Sequence, residues 1–135
     1  AANAAIMVIS VFLILVYDLV TSAYDIYLIM QKLFHFEEIL DIIGLGSIEV
    51  DVLRGEALKT LSFSSTNQFL LGKYKVPEGI KLLGGKTGTT NKAGCCLTVY
   101  VQDNDNNCYI AEIFGAESYE ALYVSMIQLL THISD

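Results

Sequence analysis

The chain has 135 residues, of which 53 % are hydrophobic, and a formal net charge of −7; its mean hydropathy is +0.50. Eight basic residues against fifteen acidic ones exclude a nucleic-acid partner, because neutralising phosphates needs clustered Lys and Arg. One proline and ten glycines exclude collagen-like and disordered chains. So much apolar sequence in a small domain points instead to a surface covered by a second copy, a partner or a membrane.

The run from Ala4 to Val16 is almost wholly apolar. At about 13 residues it falls short of the roughly 20 needed to span a bilayer, and no basic stretch precedes it as in a secretory signal. It reads as part of a helix, Ala4–Leu19, apolar all round and therefore buried, with a membrane or interface segment as the alternative. Ser22 then offers a cap with Asp25 three residues on, a capping-box spacing that predicts a helix over Ala23–Phe34. Phe36–Ile43 reads as a short helix with Glu37 and Glu38 in the first turn, where the dipole favours them, ended by Gly44 and Gly46.

The second half turns to strand. Ile48, Val50 and Val52 alternate with Glu49 and Asp51, the pattern of a half-buried strand. Ser62–Gln68 is polar and turn-like, and Lys75–Gly79 carries the proline and glycine of a turn. Two strong strands follow, Cys95–Gln102 and Cys108–Phe114, joined by Asp103–Asn107, whose Asn and Asp residues tolerate hairpin backbone angles. Ser118 is a candidate cap for a last helix, Ser118–Ile133, with Leu122, Met126, Leu129, Leu130 and Ile133 on one face. Residues 1–45 are thus mainly helical, 46–115 mainly strand and 116–135 a C-terminal helix: an α+β domain in which antiparallel strands pack on the last helix.

Cys95, Cys96 and Cys108 have neither the spacing of a zinc site nor an even count for a disulfide framework. They read as free, buried thiols, although pairing of the two strands would let Cys108 approach one of the others. His35 and His132 stand alone, without carboxylates at ligand spacing, and Glu37, Glu38 and Asp41 form a solvated face. No metal or other cofactor is indicated. Tyr17, Tyr24 and Tyr27 read as helix-packing residues.

Gly84-Gly85-Lys86-Thr87-Gly88-Thr89 is the segment that carries chemistry. A phosphate-binding loop needs glycine four residues before its Gly-Lys pair; position 80 is Ile, and the β-prone sequence that follows does not open a helix. A Lys-Thr-Gly element on a strand is the better reading. Alternation sends Lys86 and Gly88 one way and Thr87 and Thr89 the other, while twist at a strand edge brings Lys86, Thr87 and Thr89 to one groove rim. Gly88 lets a substrate backbone come close, and a free strand edge can pair with an extended peptide.

The stretch Leu83 to Gly94, Ser65-Thr66-Asn67-Gln68-Phe69-Leu70-Leu71 before it, Thr21-Ser22-Ala23-Tyr24-Asp25 and Phe114-Gly115-Ala116 together resemble the serine-type D-Ala-D-Ala carboxypeptidases of peptidase family S11, the low-molecular-mass penicillin-binding proteins. Ala1–Ala5 is similar to the stretch after that family's second catalytic motif. The resemblance implies part of a β-lactamase-like transpeptidase fold and an extracytoplasmic enzyme acting on peptidoglycan stem peptides. It implies that Lys86, Thr87 and Thr89 hold the carboxylate of a peptide or β-lactam, that Gly88 completes the strand, and that the Thr89 N–H serves an oxyanion hole. The family's nucleophile is the Ser of Ser-x-x-Lys, and no serine of this chain precedes a lysine at that spacing. Ser65-Thr66-Asn67 matches the family's Ser-x-Asn spacing but lies too close to Lys86 to be that motif. The chain therefore reads as the C-terminal portion of such an enzyme, a single partial domain without catalytic residues. The other reading is a non-catalytic module that binds ligand or associates with itself through exposed apolar surface.

Overall fold

The computed structural model describes residues 21–134. The helix expected at Ala4–Leu19, with Tyr17, and the resemblance over Ala1–Ala5 lie outside the described residues. The elements are α1 (Ala23–Leu33), α2 (Glu37–Ile43), β1 (Ser47–Arg54), β2 (Ala57–Ser64), β3 (Lys81–Thr90), β4 (Gly94–Gln102), β5 (Cys108–Ala116) and α3 (Tyr119–Ser134). They form an α+β structure with two antiparallel sheets, β1-β2 and β3-β4-β5.

The three-stranded sheet is organised by its most apolar strand, which takes the centre. Leu97, Val99 and Val101 of β4 are wholly buried, and alternation puts all three on one face. They meet Leu122, Tyr123, Met126 and Leu130 of α3 together with Phe69 and Ile80. Burying side chains of this size stabilises by about 1.5–3 kcal/mol each, so this layer is the core. The other face carries Thr98 and Tyr100. Phe34, just after α1, stacks on Tyr100 with ring centroids 4.4 Å apart at 12°.

Local chemistry starts the helices where expected. Ser22 Oγ accepts from the Asp25 N–H and Asp25 Oδ2 accepts from the Ser22 N–H, closing the capping box on α1. The Ser22 hydroxyl also donates to Asp25 Oδ2 at 2.8 Å, and that bond first, then the one from the Ser22 N–H, holds the Asp25 carboxyl below its ordinary pKa. Ser118 Oγ accepts from the Ala121 N–H at the start of α3. On α3 the buried face differs from the expected one: Leu129 is exposed, and Tyr123 is fully buried in its stead. Tyr24 and Tyr27, expected to pack, are also exposed.

Strand β2 and its pairing with β1 were not legible in the sequence. Gly55, φ +64°, opens the two-residue link between Arg54 and Ala57, and glycine favours positive φ at that place in a tight hairpin. Ile48 pairs with Phe63 and Val50 with Leu61, so Ser62 and Ser64 occupy the ribbon's other face. Their polarity marks a face of β2, and the turn begins only at Ser65. Nor is β1 half-buried: apart from Val52 its residues are exposed, because the ribbon has two strands and lacks a covering layer among the described residues.

The cysteines are free, but only Cys95 is buried; Cys96 is half-buried and Cys108 exposed. Cys108 pairs with Gln102 at the far end of β4 from Cys95, so the hairpin keeps it away from the other two thiols. The hairpin loop itself is as expected, with Asn106 at φ +66° and Asp103 Oδ1 accepting from the Asp105 and Asn107 N–H groups.

Tyr123 ties α3 to the segment before β3. Its hydroxyl accepts from the Gln68 N–H at 2.8 Å and donates to Asn67 Oδ1 at 3.4 Å. Burial pushes the phenol's pKa up, which keeps that proton in place. Tyr123→Phe leaves the Gln68 N–H and Asn67 short of partners, and we expect a loss of about 1–2 kcal/mol in denaturant unfolding. Unchanged stability would show that these bonds contribute nothing net.

Candidate functional site

Among the described residues, β3 is an edge strand, paired on one side with β4. Register assigns its side chains to faces. Thr87 lies opposite Leu97 and Gly85 opposite Val99, whereas Lys86 lies opposite Thr98 and Gly88 opposite Cys96. Thr87 and Gly85 therefore share the α3 side of the sheet, and Lys86 and Gly88 the α1 side, as strand alternation requires.

The loop after β2 packs against the α3 side almost residue for residue. Thr66 Oγ1 is 2.5 Å from Thr87 Oγ1. The next residue, Asn67, is only 2 % exposed and lies over Gly85: a Cβ at Gly85 would stand 2.8 Å from Asn67 Nδ2 and 2.8 Å from the Thr98 carbonyl oxygen. The Asn67 N–H donates to Ser65 Oγ, and Asn67 Oδ1 accepts from the Phe69 N–H at 3.1 Å. This local turn suits a residue whose side chain can imitate backbone.

Between this loop, β3, α2 and the base of the ribbon lies a cleft of about 300 Å³. Lys86, Thr87, Thr66 and Asn67 line one part, and Ile42, Ile43, Leu45, Ile48 and Phe63 another. It is mainly apolar wall with a few polar groups on one side, the composition of a small-molecule or peptide site. The Lys86 side chain is exposed and donates from Nζ to the Thr87 carbonyl. Neighbouring atoms still strip water from the ammonium, and that desolvation lowers its pKa from the ordinary lysine value.

Of the expected site residues, Lys86 and Thr87 line the cleft together, and Thr89 does not join them. The Thr89 hydroxyl lies 3.0 Å from the Tyr119 hydroxyl at the start of α3. Gly88 is exposed on the strand. Sequence reasoning left Thr66 and Asn67 as loop residues; a short polar Ser-Thr-Asn run before an apolar Phe-Leu-Leu was their only signal. It also left out Glu112, whose carboxylate accepts from Thr98 Oγ1 at 3.3 Å and whose pKa burial raises. His35, His132, Glu37, Glu38 and Asp41 stay outside the cleft, and among the described residues no His, Cys, Asp and Glu group is arranged to hold a metal ion.

No protein-family model matches the chain, and no curated protein matches it.

Gly85 and Gly88 separate close packing from open strand. Gly85→Ala drives a Cβ into Asn67 and a backbone carbonyl, and we expect a cost of about 1–3 kcal/mol. Gly88→Ala meets only Cys96 Cβ at 3.9 Å and should leave thermal unfolding almost unchanged. Equal effects of the two substitutions would refute the packing of Asn67 on Gly85.

Proposed function

We propose that the cleft binds the carboxylate end of an extended peptide, as in the substrate-binding strand of a penicillin-recognising D-Ala-D-Ala carboxypeptidase. The observation that carries the reading is the pairing of Lys86 and Thr87 at a cleft beside a strand edge left unpaired among the described residues. An ammonium and a hydroxyl side by side suit a carboxylate, because hydrogen bonds to an ionised group are roughly twice as strong as neutral ones. The open edge supplies backbone groups for a peptide main chain, and the apolar wall accommodates a small side chain beside the carboxylate. On this reading the ligand is a peptidoglycan stem peptide or a β-lactam, and the setting is the outside of a bacterial membrane.

The role of these 135 residues is binding rather than bond cleavage, since no serine carries the Ser-x-x-Lys spacing. A second reading, a non-catalytic module that associates with itself, is favoured by one observation: Leu53 and Leu58 pair at the ribbon tip with 73 % and 66 % of their surfaces exposed. Light scattering that shows a monomer at high concentration would count against it.

Titration of the ¹⁵N-labelled protein with a peptide ending in D-Ala-D-Ala should shift the amide resonances of residues 86–90. Lys86→Met should weaken binding at least about tenfold, the worth of one charge-assisted bond. Binding needs the ammonium form of Lys86, which is lost as pH rises through its pKa. Because that pKa is lowered, affinity should fall at a pH below that of an ordinary lysine, and hold at lower pH until the peptide carboxyl protonates near about 3.5. A peptide with an amidated C-terminus should not bind; equal binding of both peptides would refute carboxylate recognition.

A further inference from the structure

Asn67 combines two properties that seldom occur together. It is almost fully buried, and its Nδ2 has no hydrogen-bond partner among the described residues. Its Oδ1 is engaged by the Phe69 N–H and the Tyr123 hydroxyl, so the amide cannot simply flip to satisfy Nδ2. An unmade hydrogen bond at a buried donor is a standing cost, and such groups are rare enough to need a reason. Asn67 also lines the cleft, and Thr66, the residue before it, holds Thr87 through a hydroxyl pair at 2.5 Å.

We infer that Thr66 and Asn67 are further binding residues of this cleft, and that they take an oxygen of the ligand. The inference rests on the carboxylate-binding reading and deepens it. A ligand oxygen entering between Thr66 and Thr87 replaces one hydroxyl–hydroxyl bond with two bonds to itself. The Asn67 amide behind them gains the acceptor that it lacks in the free protein. The gain is larger than for an ordinary donor, because in the unliganded state the Asn67 Nδ2 donor is buried without a partner among the described residues. The ligand is thereby gripped from two sides, by Lys86 and Thr87 on β3 and by Thr66 and Asn67 on the loop. Ile42, Ile43 and Phe63 select an apolar group next to the oxygen. The loop is held for this by α3, through Tyr123, so binding residues from two distant parts of the chain share one ligand.

The side-chain NH₂ resonances of Asn67 provide a direct readout, followed during titration with an N-acetylated D-Ala-D-Ala peptide and, separately, with sodium acetate as a bare carboxylate. Both Asn67 protons should respond on saturation, one moving downfield as its hydrogen bond forms. Asn67→Asp keeps the acceptor for Phe69 and Tyr123 but removes the donor. It should keep the fold and bind at least about tenfold more weakly, whereas Thr66→Val should weaken binding about three- to tenfold. A purely structural Asn67 would leave its NH₂ signals still during titration. Silence of those signals with both probes overturns the inference, whether or not Asn67→Asp folds. So does peptide binding that Asn67→Asp and Thr66→Val leave intact. A response to acetate without any to the peptide sustains the inference and refutes the D-Ala-D-Ala reading.

Discussion

The cleft depends on Asn67 lying flat on Gly85. That contact brings the loop after β2 close enough to β3 for Thr66 to reach Thr87. It exists because Gly85 has no Cβ and because the Tyr123 hydroxyl holds the other end of the Asn67 side chain. Tyr123 in turn is held by the core: Phe69 meets its ring edge-on at 4.9 Å, and Tyr74 stacks on it at 4.8 Å. A buried aromatic with a polar end usually finds a partner for that end, and here the partner is the loop that builds the site. Packing energy from α3 is thus converted into the position of two hydroxyls and an amide.

The rest of the cleft follows from the sheet. An edge strand leaves its backbone groups on one side unpaired, which proteins commonly cover or blunt. Here α2 backs onto the first part of β3 at Leu83 and Gly84, and the stretch from Lys86 onward stays open on that side among the described residues. The exposed ammonium of Lys86 discourages pairing with a second sheet, while the proposed peptide would answer it with a carboxylate. One residue can therefore guard the edge in the free protein and recognise the ligand in the bound one.

Much of the architecture was legible because its signals are local. The capping box at Ser22 and Asp25, the Asn/Asp hairpin loop and the alternation in β4 act over a few residues. What escaped depends on distant partners. The serines of β2 look like a turn until the pairing with β1 assigns them to one face of a ribbon. Leu129 and Tyr123 flank opposite edges of the apolar face of α3, about 120° apart at 3.6 residues per turn, and the placement of Asn67 and Gln68 on the Tyr123 side decides which edge is buried. Cys108 looks buried by residue type, but register places it at the open end of β5. Thr89 shares a face with Thr87, yet α3 supplies Tyr119 to occupy its hydroxyl.

The sequence by itself determined the α+β class and the order of its elements apart from β2, the strand that bears Lys86, Thr87, Gly88 and Thr89, and the lack of a Ser-x-x-Lys nucleophile. Each is a matter of residue type and short spacing. Only the tertiary structure decided which of those side chains share a cleft, and that Thr66 and Asn67 belong with them. Residues far apart in the chain, Asn67 with Gly85 and Tyr123 and Thr66 with Thr87, meet because α3, the loop and β3 bury one another, and no local pattern records such a meeting.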